Sequence, residues 1–340
     1  MGSKFNDIFK SKISYSLLYD SYLLSKKGKR YRDDVIKFGL RFEDYLNSIL
    51  NDLKSNKYVF SKYKLFYVYE PKCRKVLAAS FRDRIVHTWY VKSFIEPIFV
   101  PTFINNSYAC IIGKGMHKCM RDVRRSLCNV SRDDRYINGY ILKMDIAKYF
   151  QNIDRNILFD IIQKKVYDKD FLLFTKSILN SSSMYDEVEG VSIPIGNYSS
   201  QMFANIYLNE VDQFVKHKLG CRYYFRYMDD SLCICKSKEE AKYFLNEIIV
   251  FLNDKLHLKL NKKTSIFKIS QGVNFCGYKI NKDYVKIRVT GRKKLIKKIK
   301  YIRYKITNNL IDFKDVSRLL CGHIGYIKYA NIGNILNKYF

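Results

Sequence analysis

Three carboxylates sit among apolar, strand-forming runs. Asp229 and Asp230 are adjacent, in the middle of Tyr223-Tyr224-Phe225-Arg226-Tyr227-Met228-Asp229-Asp230-Ser231-Leu232-Cys233-Ile234-Cys235. The aromatic and β-branched flanks read as two short strands, with Met228-Asp229-Asp230 as the tight turn between them. Aspartate is a poor strand former but common in hairpin turns. The pair is therefore either turn chemistry or a place where carboxylate oxygens are offered to hard divalent cations. Asp145 ends a second apolar run, Tyr140-Ile141-Leu142-Lys143-Met144-Asp145-Ile146. A carboxylate at the end of a buried strand has to be paired, hydrogen-bonded or bound to metal. Asp154, further on, reads as the N-cap of a helix.

Other polar residues have spacing that suits phosphate. Lys72, Arg74 and Lys75 fall on a hairpin broken by Pro71. They form either a triphosphate clamp, with forked donors from arginine and point charges from lysine, or an exposed basic hairpin. Arg82, Asp83 and Arg84 open the next helix as an ion-pair network. Gly113-Lys114-Gly115 is a turn and not a Walker loop, since no Ser or Thr follows it. Pro194 and Gly196 fix a turn before Ser199, Ser200 and Gln201, which open a helix running to about residue 216. Asn205 and Asn209 follow Gln201 at helical spacing, a polar stripe opposite Met202, Ile206 and Val211.

The elements that must position these groups are mixed. Residues 1–56 carry helical spacing around a basic loop at 26–32. Residues 238–262 read as an amphipathic helix, 258–267 as a strand with a basic break, and 273–280 as one strand bent at Gly277. From 286 the composition turns strongly basic and helical. The 340 residues are 47% hydrophobic, enough for two or three subdomains and too apolar for global disorder. The formal charge of +30 is spread along the chain, and with 29 tyrosines it points to a polyanion, nucleic acid first. Nine cysteines without a Cys-x-x-Cys pair read as reduced thiols of a cytoplasmic protein. The first residues lack a signal-peptide apolar run, and no stretch reaches the roughly 18 apolar residues of a membrane span.

Taken in order, these segments resemble prokaryotic reverse transcriptases, and most closely those of diversity-generating retroelements. The likeness rests on Leu142-Lys143-Met144-Asp145, on Ile193-Pro194-Ile195-Gly196-Asn197-Tyr198-Ser199-Ser200-Gln201, on Tyr227-Met228-Asp229-Asp230, on Lys263-Thr264 and on Phe275-Cys276-Gly277-Tyr278. Upstream, Pro71-Lys72-Cys73-Arg74, Phe81-Arg82-Asp83-Arg84 and Ser107-Tyr108-Ala109-Cys110 extend it. Ser199-Ser200-Gln201 departs mildly from the Thr-Ser-Gln usual in the retroelement enzymes.

The resemblance implies an α+β right-hand polymerase fold: an N-terminal helical extension (1–56), fingers (57–139), an antiparallel-sheet palm (140–285) and a basic helical thumb (286–340). It implies two Mg²⁺ ions, replaceable by Mn²⁺, on Asp145, Asp229 and the backbone oxygen of Ile146, with Asp230 as auxiliary carboxylate. Lys263 would be the general acid for pyrophosphate. Lys72, Arg74, Lys75 and Gln201 would hold the nucleotide, and Phe150 would exclude a ribose 2′-hydroxyl. Ser199, Ser200, Phe275, Gly277 and Tyr278 would contact primer and template. The implied partners are an RNA template, in particular a dedicated noncoding RNA, the DNA product, deoxynucleotides, and an accessory subunit or a second copy. The implied role is RNA-directed DNA synthesis in a diversity-generating element or in antiphage defence. The competing expectation is a catalytically silent, basic RNA-binding scaffold.

Overall fold

The structure is a computed structural model and describes residues 8–69, 73–312 and 314–331. In chain order the elements are α1 (Tyr15–Lys26), α2 (Asp33–Gly39), α3 (Phe42–Lys54), β1 (Lys64–Val68), β2 (Arg74–Ala78), α4 (Phe81–Tyr90), α5 (Glu96–Phe99), α6 (Met116–Val130) and β3 (Tyr140–Asp145). They continue with α7 (Arg155–Gln163), α8 (Lys169–Asn180), α9 (Tyr198–Gln213), β4 (Tyr223–Tyr227), β5 (Asp230–Cys235) and α10 (Lys238–Leu256). The last are β6 (Ser265–Lys268), β7 (Val273–Phe275), β8 (Tyr278–Ile280), β9 (Val285–Ile287), α11 (Val289–Thr307) and α12 (Asp315–Ile327). The mixture of helix and sheet is the one expected. The chain divides into two compact units, the first built from residues up to 104, 146–214 and 248–260, the second from 105–145, 215–247 and 261 on.

The first unit is mainly helical. Its helices begin where hydroxyl and carboxylate side chains cap them: Ser14 accepts from Leu17 N, Ser80 from Asp83 N, Asp168 from Phe171 N, and Asp154 from the amides of Asn156 and Ile157. Such caps satisfy amides that the helix itself leaves unbonded. Helix α4 packs on α1 and on α9. Trp89 of α4 meets Phe9 and Phe174 edge to face, and those two rings are tilted on each other, with ring centres 5.3–5.7 Å apart. The expected ion-pair network is present, with Arg82 on Asp52 at 2.6 Å and Arg84 on Asp34, while buried Asp83 accepts from Tyr58 and Ser80. The polar stripe of helix α9 is enclosed: Asn205 and Asn209 are buried along with Met202 and Ile206.

The second unit carries the sheets. Strand order is β4-β5-β3-β6, antiparallel throughout, beside a three-stranded sheet β7-β8-β9. One face of the first sheet, with Ile141, Phe225, Leu232 and Ile234, packs into a core with Met120, Val123 and Leu127 of α6 and with Phe275 and Tyr278. Three strand readings are corrected. The loop between β4 and β5 is Met228-Asp229, and Asp230 belongs to β5. The 258–267 run contributes only β6, because a turn closes at 261–264 through Thr264 N to Asn261 O. The 273–280 run is a hairpin, because Cys276 (φ 49) and Gly277 (φ 81) both adopt the left-handed conformation that a two-residue I′ turn demands.

Candidate active site

In the second unit, strand pairing decides which carboxylates meet. Register places Asp145 of β3 opposite Asp230 of β5, and Tyr227 of β4 opposite Asp230 on its other side. Residues opposed across antiparallel strands project from the same face. Lys143, two residues before Asp145, shares that face, and its ammonium lies 3.3 Å from Asp230 Oδ1. Asp145, Asp229 and Asp230 are all half-exposed at the end of the sheet. Asp229 stands in the turn, behind Met228 at φ 57. A left-handed methionine stores about 1–3 kcal/mol, which persists only where the surroundings impose it. Asn261 N donates to Asp145 O at 2.7 Å, and Lys263 N donates to Asn261 Oδ1 at 3.2 Å. Lys263 is thus exposed on a turn anchored to the Asp145 backbone. Burial raises the Tyr227 phenol above its ordinary pKa, keeping it protonated at neutral pH.

The donor set fits magnesium. Among the described residues no three acidic, histidine or cysteine side chains converge into a cage. Magnesium does not need one: it keeps waters and binds through one or two carboxylates plus substrate phosphates. Asp145 and the Asp229-Asp230 hairpin supply such carboxylates, and Lys143 offsets part of the charge at Asp230.

In the first unit, Phe150 lies half-buried in a tight turn after Lys148, which is left-handed at φ 45. Its carbonyl accepts from Ile193 N at 2.9 Å, tying it to the 193–201 segment. Gln201, half-buried in the first turn of α9, lines a cavity of about 340 Å³ with Lys29, Arg84, Lys92 and His87. Burial and the neighbouring Arg84 and Arg32 charges push the Lys29 pKa down, the signature of crowded positive charge. Arg74 is exposed on β2, and Lys75 donates to Tyr185 O at 3.0 Å. Lys72 lies outside the described residues. Ile146 directly follows Asp145 in the chain and bridges to Leu260.

Four expected contact residues are buried. Ser199 and Ser200 are 1% and 2% exposed, and Ser199 Oγ lies 2.9 Å from His87 Nδ1. They seat the start of α9. Phe275 and Tyr278 are equally buried, and the Tyr278 hydroxyl lies 3.0 Å from His117 Nδ1. Their side chains hold the hairpin. At Gly277 an added Cβ would stand 2.9 Å from the Tyr326 ring, so glycine is required there for space as well as for φ.

Residues 70–280 match the family described as reverse transcriptase (RNA-dependent DNA polymerase). The chain belongs to that reverse transcriptase family. This reverse transcriptase is 22% identical to the group II intron-encoded protein LtrA of Lactococcus lactis subsp. cremoris, an alignment covering 85% of this chain and 57% of LtrA. It is 26% identical to Protein YkfC of Escherichia coli, over 62% of this chain and 63% of that one. A putative COX1/OXI3 intron 2 protein of Saccharomyces cerevisiae is 22% identical over 79% of this chain and 38% of its own length. The chain thus spans less than two thirds of each of these relatives. Among solved structures, apo telomerase from Candida tropicalis, truncated from its C-terminal domain, superposes with a TM-score of 0.50 at 14% identity, over 71% of this chain and 60% of that one. That likeness establishes the shared polymerase fold. No helix among the described residues is long and apolar enough to cross a membrane.

Sequence reasoning on this reverse transcriptase passed over two groups. Lys143 was readable as a strand residue two positions before Asp145, and period-two alternation places it on the same face. His87 gave no signal, because its partner Ser199 lies 112 positions away.

Proposed function

We propose that this chain is an RNA-directed DNA polymerase that adds deoxynucleotides to a primer 3′ end. The observation that carries the reading is the register of Asp145 against Asp230, with Asp229 in the adjoining turn of a half-exposed sheet end. The primer 3′-hydroxyl gives up its proton to solvent as its oxygen attacks the α-phosphorus of the incoming nucleotide; a new P–O bond forms, the bond from the α-phosphorus to the bridging oxygen breaks, and pyrophosphate departs. Asp145 and Asp229 would hold two Mg²⁺ ions, with the Ile146 carbonyl as a further ligand; Mn²⁺ offers the same hard coordination, and when bound the ions acidify the hydroxyl and neutralise phosphate charge. Asp230, held by Lys143, fixes the local charge balance. Lys263 gives a proton to the departing pyrophosphate. Lys72, Arg74 and Lys75 bind the triphosphate, Phe150 excludes a 2′-hydroxyl, and Gln201 lines the nascent pair. In this reading the β-sheet region 140–285 is the palm, 57–139 the fingers, 286–340 the thumb, and 1–56 an N-terminal extension.

The RNA partner follows from the charge of +30. Affinity for RNA should fall steeply between about 50 and 200 mM salt, because each phosphate contacted releases counterions. The template in this reading is a dedicated noncoding RNA, in a diversity-generating element or an antiphage system. An adjacent repeat pair differing at adenines marks the former. A structured RNA without a variable repeat marks the latter.

The deciding assay is extension of a primer on an RNA template with Mg²⁺ and deoxynucleotides. Incorporation is expected. RNA binding without incorporation, on any template including co-purified RNA, would establish the scaffold instead.

A further inference from the structure

We infer that Arg226 is a positioning residue for the Asp229 carboxylate, acting through the backbone of the turn; the inference rests on the polymerase reading above. Arg226 is 1% exposed, and its guanidinium Nη1 donates to Met228 O at 3.1 Å. Arginine is almost never fully buried unless paired, and removing such a group from water is costly.

The placement of Arg226 is fixed from both edges of its strand. On one side it pairs in register with Ser231 of β5. On the other, its N–H donates to Asn106 O at 2.9 Å and its carbonyl accepts from Tyr108 N at 3.1 Å. Tyr108 is itself anchored, donating to Asp122 of α6 at 2.9 Å. Residues 106–108 therefore make a single parallel bridge to β4, centred on Ser107 and Arg226. Alternation puts the Arg226 side chain on the sheet face opposite Asp145 and Asp230. From there it reaches forward to the carbonyl of Met228, the residue held left-handed at φ 57.

The peptide that Arg226 grips is the one joining Met228 to Asp229. Its orientation sets where the Asp229 carboxylate stands. A two-residue loop with methionine in its strained position has lower-energy alternatives, and a buried forked donor on its carbonyl selects against them. Groups that orient metal-binding residues without touching the metal typically change metal affinity by about 10- to 100-fold when removed.

The test compares wild type with Arg226→Met, which keeps length and loses the donor, and Arg226→Lys, which keeps charge and one donor but not the fork. Three quantities are read on the full chain bound to primer and template: Mn²⁺ affinity by electron paramagnetic resonance, the Mg²⁺ concentration for half-maximal extension, and the melting temperature. Arg226→Met should weaken Mn²⁺ binding and raise the Mg²⁺ requirement by about 10-fold or more, with the KM for primer–template unchanged. Arg226→Lys should fall between. Wild-type Mn²⁺ affinity and Mg²⁺ requirement in both variants, or lost activity that follows melting temperature alone, would overturn the inference. If Arg226→Met does not fold, the Arg226→Lys shift decides. A wild type that binds Mn²⁺ but extends nothing would sink the polymerase reading, while the resonance titration would still judge Arg226.

Discussion

Two stretches look equally marked in the sequence, 193–201 and 226–230, and they use polar side chains in opposite ways. Around α9 the polar groups are sealed inside. Ser199 is bonded to a buried histidine, Asn205 is wholly buried, and they fix a helix that is covered on nearly every side. At the end of β3 and β5 the carboxylates are half-exposed, next to a strained turn. A sealed polar group costs stability when its partner is lost. A half-exposed carboxylate at a sheet end can offer oxygens to a hard cation. The difference separates residues that hold the scaffold from residues placed to react.

The sharpest way to break this comparison is at Asp145. Asp145→Asn keeps the shape and removes a charge, so extension should fall by about 10³-fold, matching the several kcal/mol that metal-stabilised charge supplies. The melting temperature should hold, as judged by calorimetry. A large drop in melting temperature would mean that the sheet end is scaffold after all.

The second test uses pH on the sealed side. Burial depresses the His87 pKa to about 4, against a partial opposing effect of Asp83. Above the ordinary histidine value near 6.5 both folded and unfolded states are neutral, so stability does not depend on this group. As pH falls below that, the unfolded chain takes a proton and the folded chain does not, so stability declines until about pH 4. Between pH 7 and 5 the loss should be about 2 kcal/mol in urea unfolding. His87→Gln should remove that share of the decline; an unchanged pH slope would show that another group carries it.

The smallest effect on extension is expected at Ser199. Ser199→Ala strips the His87 imidazole of its partner and should cost about 1–3 kcal/mol of unfolding free energy. The saturated extension rate should change only a few-fold. A collapse in rate with stability intact would move Ser199 to the reacting side.

Much of the sheet end was legible because its signals are local. Apolar alternation fixed β3 up to Asp145, and the aromatic run before Met228 fixed β4. The error there was one residue, with Asp230 read as turn although register pairs it with Asp145. The Cys276-Gly277 turn was missed because glycine was read as a bend within one strand, whereas two consecutive left-handed residues reverse the chain. The character of α9 was not legible at all. Its Asn205 and Asn209 form a polar stripe in the sequence, and their burial comes from helices distant in sequence, α4 and α7, that pack on α9. Burial of this kind is a property of tertiary packing, and a helical wheel does not contain it.

The most direct measurement of the central claim is primer extension on an RNA template by wild type and by Asp229→Asn, each checked for RNA affinity and melting temperature. The account predicts that wild type extends, that the variant does not, and that both bind RNA and melt alike. Equal extension by the two proteins would contradict it, because the turn carboxylate would then have no part in the reaction.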